Sequence, residues 1–271
     1  MSNSQLTIIH DIENLQKALL ELAQTGKTVA LVPTMGALHA GHASLIKQGR
    51  ELADVVVVSI FVNPKQFGVG EDFEQYPRTL DADKEIAKMA GASIIYAPTI
   101  ADMYPASFST TVSAGKIGEI LCGKFRKNHF DGVATVVVKL LLRVMPHFAI
   151  FGLKDYQQFC IIQRVAEDLD LPTEIIGAEI VREEDGLAIS SRNIYLSESE
   201  RAIAPILYKT LQETITKIEQ IGEEEAIKNG IDILTNAGFK VDYLEIFEDN
   251  LLVAATLGKT RLIDNLLVVN L

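Results

Sequence analysis

Cysteine is scarce in this chain. Only Cys122 and Cys160 occur in 271 residues, and their spacing matches no metal or redox motif. That excludes a disulfide scaffold and a cysteine-built metal site, and it fits two reduced thiols in a cytosolic protein. Positive charge is also in short supply, with 25 Lys+Arg against 36 Asp+Glu and a formal net charge of −11. Residues from 180 onward carry 9 basic and 16 acidic side chains, the remainder 16 and 20. Neither part offers the basic face that nucleic acid or anionic lipid requires. Long apolar runs are missing as well. Val133–Met145 is the nearest to one, but Lys139 and Arg143 interrupt it and it falls short of the ~18 residues of a membrane span. The opening Met1-Ser2-Asn3-Ser4-Gln5 has neither the basic nor the apolar region of a signal peptide. No repeat or low-complexity stretch is visible. The expectation is a soluble, cytoplasmic protein with no nucleic-acid and no membrane partner.

What is present is ordinary for a folded chain: 48% hydrophobic and 23% charged residues, with room for one large or two modest domains. Helical and strand patterns alternate through the first two-thirds. The predicted strands are Thr28–Val32, Val55–Phe61, Ser93–Tyr96, Phe148–Phe151 and Thr173–Ile176. The predicted helices are Ile12–Ala23, His42–Ala53, Leu80–Ala90, Val133–Val144 and Tyr156–Leu169. Near-continuous apolar runs such as Val55-Val56-Val57-Val58 suit parallel strands buried on both faces. The fold expected for residues 1–179 is therefore an α/β, doubly wound (Rossmann-like) parallel sheet. From about residue 180 the texture changes. A capping segment at Ser197-Glu198-Ser199-Glu200 precedes predicted helices Arg201–Gln220 and Glu223–Ala237, and strands follow at Lys240–Phe247, Leu251–Ala255 and Arg261–Val269. Residues 180–271 thus read as a smaller α+β domain.

Ligands of doubly wound sheets bind beyond the carboxyl ends of the strands, and the informative motifs fall there. Pro33-Thr34-Met35-Gly36-Ala37-Leu38-His39-Ala40-Gly41-His42 follows the first long strand and opens a helix. A helix N-terminus directs backbone N–H groups and a positive dipole end at an anion, and Gly36 and Gly41 let phosphate approach the backbone. His39 and His42 add donors for charge developing on a phosphate. Phe61–Phe67 continues from the second strand, where Pro64 ends the ladder and amides at Asn63 and Gln66 are expected to point into the site mouth. Phe151-Gly152-Leu153-Lys154-Asp155-Tyr156-Gln157-Gln158 follows a later strand. Lys154 supplies charge there, and Gln158 is expected one helical turn beyond it, on the same cleft. Ile189-Ser190-Ser191-Arg192-Asn193, at the domain boundary, places two hydroxyls beside an arginine in the manner of a phosphate clamp. An anionic substrate needs a local basic pocket in so acidic a chain, and Lys65, Arg126, Lys154 and Arg192 are its candidates.

Two other patterns carry nothing. Gly258-Lys259-Thr260 ends like a P-loop, but Val253 stands where its first glycine belongs and a strand follows instead of a helix. His39 and His42 lack the glutamate and the third ligand of a zinc site.

His-x-Gly-His after the first strand resembles the signature of the nucleotidyltransferase superfamily, which cleaves ATP between its α- and β-phosphates. Together with Phe61–Phe67, Tyr76-Pro77-Arg78, His129-Phe130-Asp131-Gly132-Val133, Phe151–Gln158 and Ile189–Asn193, in that order and spacing, it resembles the pantoate–β-alanine ligase family (the pantothenate synthetases) over essentially the whole chain. Leu153 departs from the polar residue usual at its position. The resemblance implies that ATP and (R)-pantoate give pantoyl adenylate and pyrophosphate, after which β-alanine displaces AMP. It implies His42, His39 and Lys154 as catalytic residues, with His42 as proton donor. It implies an ATP site of Met35, Gly36, Ala37, Leu38, His39, Ala40, Gly41, His42, Gly152, Leu153, Lys154, Asp155, Val181, Ile189, Ser190, Ser191 and Arg192. Gln66 and Gln158 are similar to the pair that holds pantoate, with Gln66 also near β-alanine. Mg²⁺ is expected with the nucleotide, and a homodimer with the C-terminal domain as a lid. Arg126 and His129 are secondary candidates near the acyl substrate, and Asp81 or Asp83 near the metal. The alternatives are another His-x-Gly-His nucleotidyltransferase, adenylyl- or cytidylyl-transferring, which has no use for paired glutamines, and a non-catalytic nucleotide-binding module, which has no need of Lys154 or His42.

Overall fold

The computed structural model of the chain describes residues 6–68 and 70–268. It divides into two compact units: residues 1–153 with 157–179, and residues 154–156 with 180–271.

The first unit runs β1 (Thr7–Ile9), α1 (Ile12–Gln24), β2 (Val29–Thr34), α2 (Ala40–Leu52), β3 (Val55–Ile60), α3 (Leu80–Ala90), β4 (Ile94–Tyr96), α4 (Ile100–Met103), α5 (Cys122–Phe125), α6 (His129–Val144), β5 (Phe148–Gly152), α7 (Tyr156–Asp168) and β6 (Glu174–Ala178). Its six strands form one sheet in the order β1-β4-β3-β2-β5-β6, and every pairing is parallel. Alternate residues of each buried strand serve opposite faces. Val29, Leu31, Val55 and Val57 join Leu15 of α1 and Val133, Val137 and Leu141 of α6 in one core. Ala30, Val32, Val56 and Val58 join Leu45 and Ile46 of α2 and Ala87 of α3 in the other. Two buried faces are what the continuous valine run implied, and the doubly wound expectation holds. Strand order reverses between β2 and β5, so the ends of these two strands form the switch point where such sheets take ligands.

The second unit contains α8 (Glu198–Ile203), α9 (Ile206–Ile221), α10 (Glu223–Asn236), β7 (Lys240–Phe247), β8 (Asn250–Leu257) and β9 (Thr260–Leu267). The strands form an antiparallel sheet, β7-β8-β9. Leu207 and Leu211 of α9 and Leu234 of α10 share one core with Leu244, Leu251, Val253 and Leu262 of the strands. Residues 180–190 are ordered as well. Ile189 N–H donates to Val181 O at 3.0 Å, Arg182 bridges Ala188, and Gly186 takes the turn at φ +93°.

Several element boundaries differ from expectation. The single helix predicted over Arg201–Gln220 is two helices, because Pro205 has no N–H to donate and opens α9 instead. The first helix after the phosphate motif starts at Ala40, and the one expected at Val133 starts at His129. Strand β1, too short to show a period, exists through its pairing with β4.

Candidate active site

β2 runs on through Pro33 and Thr34, and the chain turns at Gly36 (φ +86°) and Ala37 (φ +50°) before entering α2. A Cβ on Gly36 would lie 3.0 Å from Asp83 Oδ2 and 3.1 Å from Ile60 Cγ2, so the turn packs tightly against β3 and α3. His39 is the N-cap of α2 and His42 its third residue, and the two form a reciprocal capping box of imidazoles. Gly41 N–H donates to His39 Nδ1 at 3.1 Å, and His39 N–H donates to His42 Nδ1 at 3.3 Å. The rings stack with centroids 4.0 Å apart, tilted by 36°. Both Nδ1 atoms therefore act as acceptors, which puts each neutral ring's proton on Nε2. The cap thus makes both histidines N–H donors at a helix N-terminus, the kind of terminus that suits an anion.

Asp83, expected among metal candidates, has another task. It is 1% exposed and accepts from Ala37 N–H at 3.1 Å, Leu38 N–H at 2.7 Å and Thr79 Oγ1–H at 3.2 Å. It locks the turn from beneath. Asp81 is exposed on α3. Among the described residues, no group of three or more His, Cys, Asp or Glu is gathered to hold a metal.

Asn63, expected at the site mouth, is instead buried and fully bonded. Its Nδ2 donates to Gln66 Oε1 and Gly132 O, each at 3.0 Å, and its Oδ1 accepts from Lys65 N–H at 3.2 Å and Tyr104 O–H at 2.8 Å. All four capacities of the amide are used. Because Gln66 Oε1 is held in this way, its Nε2 is turned toward Met35, 3.2 Å from Sδ. The Pro64–Gln66 turn and the turn after β2 are thereby joined.

Gly132 sets how closely α6 approaches that turn: a Cβ there would lie 2.1 Å from Lys65 O and 2.5 Å from Lys65 C. Gly132→Ala must push α6 or the turn aside. Overpacking of this kind costs about 1–3 kcal/mol, roughly 2–4 °C of melting temperature per kcal/mol at this chain length. A thermal melt within about 1 °C of wild type would mean the turn yields freely.

The secondary candidates lie beside Gln66 but are tied into a chain of their own. His129 Nδ1–H donates to Gln66 O at 2.7 Å, so its Nε2 accepts from Arg126 Nη1–H at 2.9 Å. Arg126 also grips Glu71 with Nε to Oε1 at 2.8 Å and Nη2 to Oε2 at 2.6 Å. Burial opposes ionisation of Glu71, but the Arg126 contacts outweigh it and hold the carboxyl below its usual range. Gln157, which sequence reasoning passed over, is buried and pins the segment leading to Arg126. Its Nε2 donates to Ile117 O and Ile120 O, each at 2.8 Å, and its Oε1 accepts from Cys122 N–H at 3.1 Å. Gln158 is half-buried in the first turn of α7. Gly152 ends β5, and Leu153 begins the 3-10 turn Leu153–Asp155. The one-turn helical relation expected between Lys154 and Gln158 does not hold, since Lys154 precedes α7 and clusters with the second unit.

In that unit Lys154, half-buried, keeps company with Arg182, Arg192 and Asp264. Burial pushes its ammonium below the usual lysine range. Asp155 and Asp264 pull it back, while Arg192 and Arg182 add to the depression. Val181 and Ile189 pair in the short ladder described above. Ser190 caps the 3-10 turn Ser191–Tyr195, its Oγ accepting from Arg192 N–H at 3.3 Å.

A parallel doubly wound sheet, with a histidine-capped helix terminus at its switch point, defines a nucleotide-binding enzyme of the His-x-Gly-His class. The comparisons narrow this further. A family model described as pantoate-beta-alanine ligase matches residues 7–267. The pantothenate synthetase of Geotalea uraniireducens is 50% identical over 277 residues, covering 96% of this chain and 98% of that protein. The crystal structure of pantothenate synthetase from Thermus thermophilus superposes with a TM-score of 0.90 at 40% identity, covering 97% and 99% of the two chains. A pantoate-beta-alanine ligase from Francisella tularensis, complexed with beta-gamma ATP and beta-alanine, gives a TM-score of 0.87 at 35% identity, covering 97% and 98%. The chain belongs to the pantoate–β-alanine ligase family.

Proposed function

We propose that this protein condenses (R)-pantoate with β-alanine, consuming ATP and giving pantothenate, AMP and pyrophosphate through a pantoyl adenylate. The observation that carries the mechanism is the reciprocal cap of His39 and His42, in which both Nδ1 atoms accept backbone N–H groups at the N-terminus of α2 and Nε2 is therefore the donor of each neutral ring. In the first step a pantoate carboxylate oxygen attacks the α-phosphorus, and the bond to the β-phosphate oxygen breaks. The negative charge that collects on pyrophosphate is met by Nε2–H of His39 and His42, by the N-terminus of α2 and by the Lys154 ammonium. Mg²⁺ enters as part of the MgATP substrate and shares in neutralising that charge. In the second step the β-alanine amine attacks the acyl carbon, AMP leaves, and the nitrogen gives up a proton.

The neutral amides of Gln66 and Gln158 hold pantoate in this reading, with Gln66 also near β-alanine. Met35–His42 and Gly152–Asp155, with Val181 and Ile189–Arg192, hold ATP. The second unit serves as the lid that brings Lys154 and Ser190–Arg192 to the phosphates. A homodimer working in the cytoplasm completes the proposal, its dimeric state open to light scattering.

The deciding assay is AMP formation that requires both pantoate and β-alanine, with pyrophosphate released from ATP and pantoate alone. AMP formation indifferent to either acid would sink the reading. Gln66→Ala and Gln158→Ala are each expected to raise the pantoate KM by about 3- to 10-fold more than the ATP KM, as loss of a hydrogen bond worth about 0.5–1.5 kcal/mol implies. Titration calorimetry with both ligands checks this, and equal weakening would assign the amides a general structural role.

A further inference from the structure

Lys154 is separated from β9 by more than a hundred residues, yet the last strand of the small sheet is what holds it. Asn265 Nδ2 donates to Lys154 O at 3.1 Å. Next to it, Asp264 takes Arg182 in a bidentate grip, with Nη1 to Oδ2 at 2.6 Å and Nη2 to Oδ1 at 2.9 Å. Arg182 also donates to Gly186 O at 3.1 Å and Asn265 O at 3.3 Å, and its guanidinium lies 3.7 Å over the Tyr208 ring. Asn265 N–H donates to Asp264 Oδ1 at 2.8 Å. Tyr156, on the other side of Lys154 in sequence, stands edge-on to Phe247 of β7 at 6.4 Å.

Asp264 is 3% and Asn265 4% exposed. A strand that buries an ion pair and an amide side by side pays for desolvating them, and a buried pair adds little stability over well-packed apolar residues. Such a cluster is better explained by what it orients. We propose that Asn265 and Asp264 are positioning residues for Lys154: Asn265 fixes the lysine's main chain, and Asp264, anchored by Arg182, sets the field in which its ammonium works. The inference rests on the reading that Lys154 acts on the phosphates of ATP.

Beside that geometry, Asp155 and Asp264 favour the charged Lys154 ammonium, whereas Arg192 and Arg182 oppose it. Asp264 is itself raised by burial against the opposing pull of Arg182. Removing its charge takes away one of the carboxylates that favour the ammonium against burial and the two arginines, so Lys154 should lose its proton at lower pH.

The test follows pyrophosphate release from ATP and pantoate across the alkaline range. In Asp264→Asn the alkaline limb of the kcat profile should move down by about 0.5–1 pH unit. In Asn265→Ala kcat should fall about 3- to 30-fold with the ATP KM little changed, because misplacing a charge by a fraction of an ångström weakens the transition state more than the ground state. A purely structural role would lower the melting temperature and move neither reading. An unmoved limb removes Asp264 from the proposal, and a wild-type kcat removes Asn265. If Asp264→Asn does not fold, Asn265→Ala decides by itself. Lys154→Ala separates the two layers. Wild-type adenylation in that variant overturns the role of Lys154 and this inference together. Loss of adenylation there, with wild-type behaviour in the β9 variants, overturns the inference only.

Discussion

Replacing His42 by alanine is expected to slow pyrophosphate release from ATP and pantoate by about 10²-fold or more while the chain still folds. The expectation comes from the double duty of the ring. Its Nδ1 accepts the His39 N–H and closes the cap of α2, which leaves the proton on Nε2. Alanine removes both functions, and loss of the return half of the capping box, one hydrogen bond, costs about 0.5–1.5 kcal/mol of stability. His42→Asn separates them, because an Asn side-chain oxygen can stand near the position of Nδ1 while nothing reaches as far as Nε2. The asparagine variant should regain most of the melting temperature and little of the rate. Pyrophosphate release within a few-fold of wild type in the folded alanine variant would remove His42 from the mechanism. Recovery of rate in the asparagine variant would instead make the histidine a cap and nothing more.

The second large effect is expected at Asp83, which touches no substrate in the proposed reaction. Asp83→Ala leaves the N–H groups of buried Leu38 and half-buried Ala37 without their acceptor. Each stranded donor costs about 1–3 kcal/mol, so a loss of roughly 2–5 kcal/mol is expected in a denaturant melt. The turn is also poorly placed to hold itself, since Ala37 sits at φ +50° and Gly36 at φ +86°. Non-glycine residues in that region persist only where their surroundings over-determine them. The ATP KM should therefore rise together with the loss of stability. Asp83→Asn, which keeps one acceptor oxygen, should fall between wild type and alanine on both measures. Wild-type stability and an unchanged ATP KM in Asp83→Ala would show that the turn is held by other contacts.

Not every expected role matched its residue's surroundings, and the pattern has a physical reason. The setting of His39 and His42 was legible because it is local: a strand, a glycine turn and a helix start lie within a dozen residues. Asn63 and Asp83 were misplaced because their partners are remote. Asn63 meets Gly132 and Tyr104, and Asp83 meets Ala37 and Leu38, at separations of 41 to 69 residues. A buried amide with all four bonds made and a substrate-facing amide look the same in one dimension. Gln157 was passed over for the same reason, since the carbonyls it serves lie 37 and 40 residues earlier. The break at Pro205 is different, because proline after Ala204 is a local signal and could have been read directly.

By itself the sequence determined what short-range rules govern. Leu80–Ala90 and Lys240–Phe247 form over the residues their periodicity marks, since helical and strand periods express which face is buried. The unbroken valine run required burial on both faces, and with it a parallel sheet flanked by helices. The turn after β2 followed from glycines between a strand and a capped helix. Only the tertiary structure decided the strand order, the existence of β1 through its pairing with β4, and the assignment of Lys154 to the unit that begins at residue 180. It alone showed which polar residues near the switch point hold the backbone, Asn63 and Asp83 among them. That role depends on which donors and acceptors meet across long stretches of chain, and hydrogen-bond satisfaction is a property of the folded neighbourhood, not of the segment.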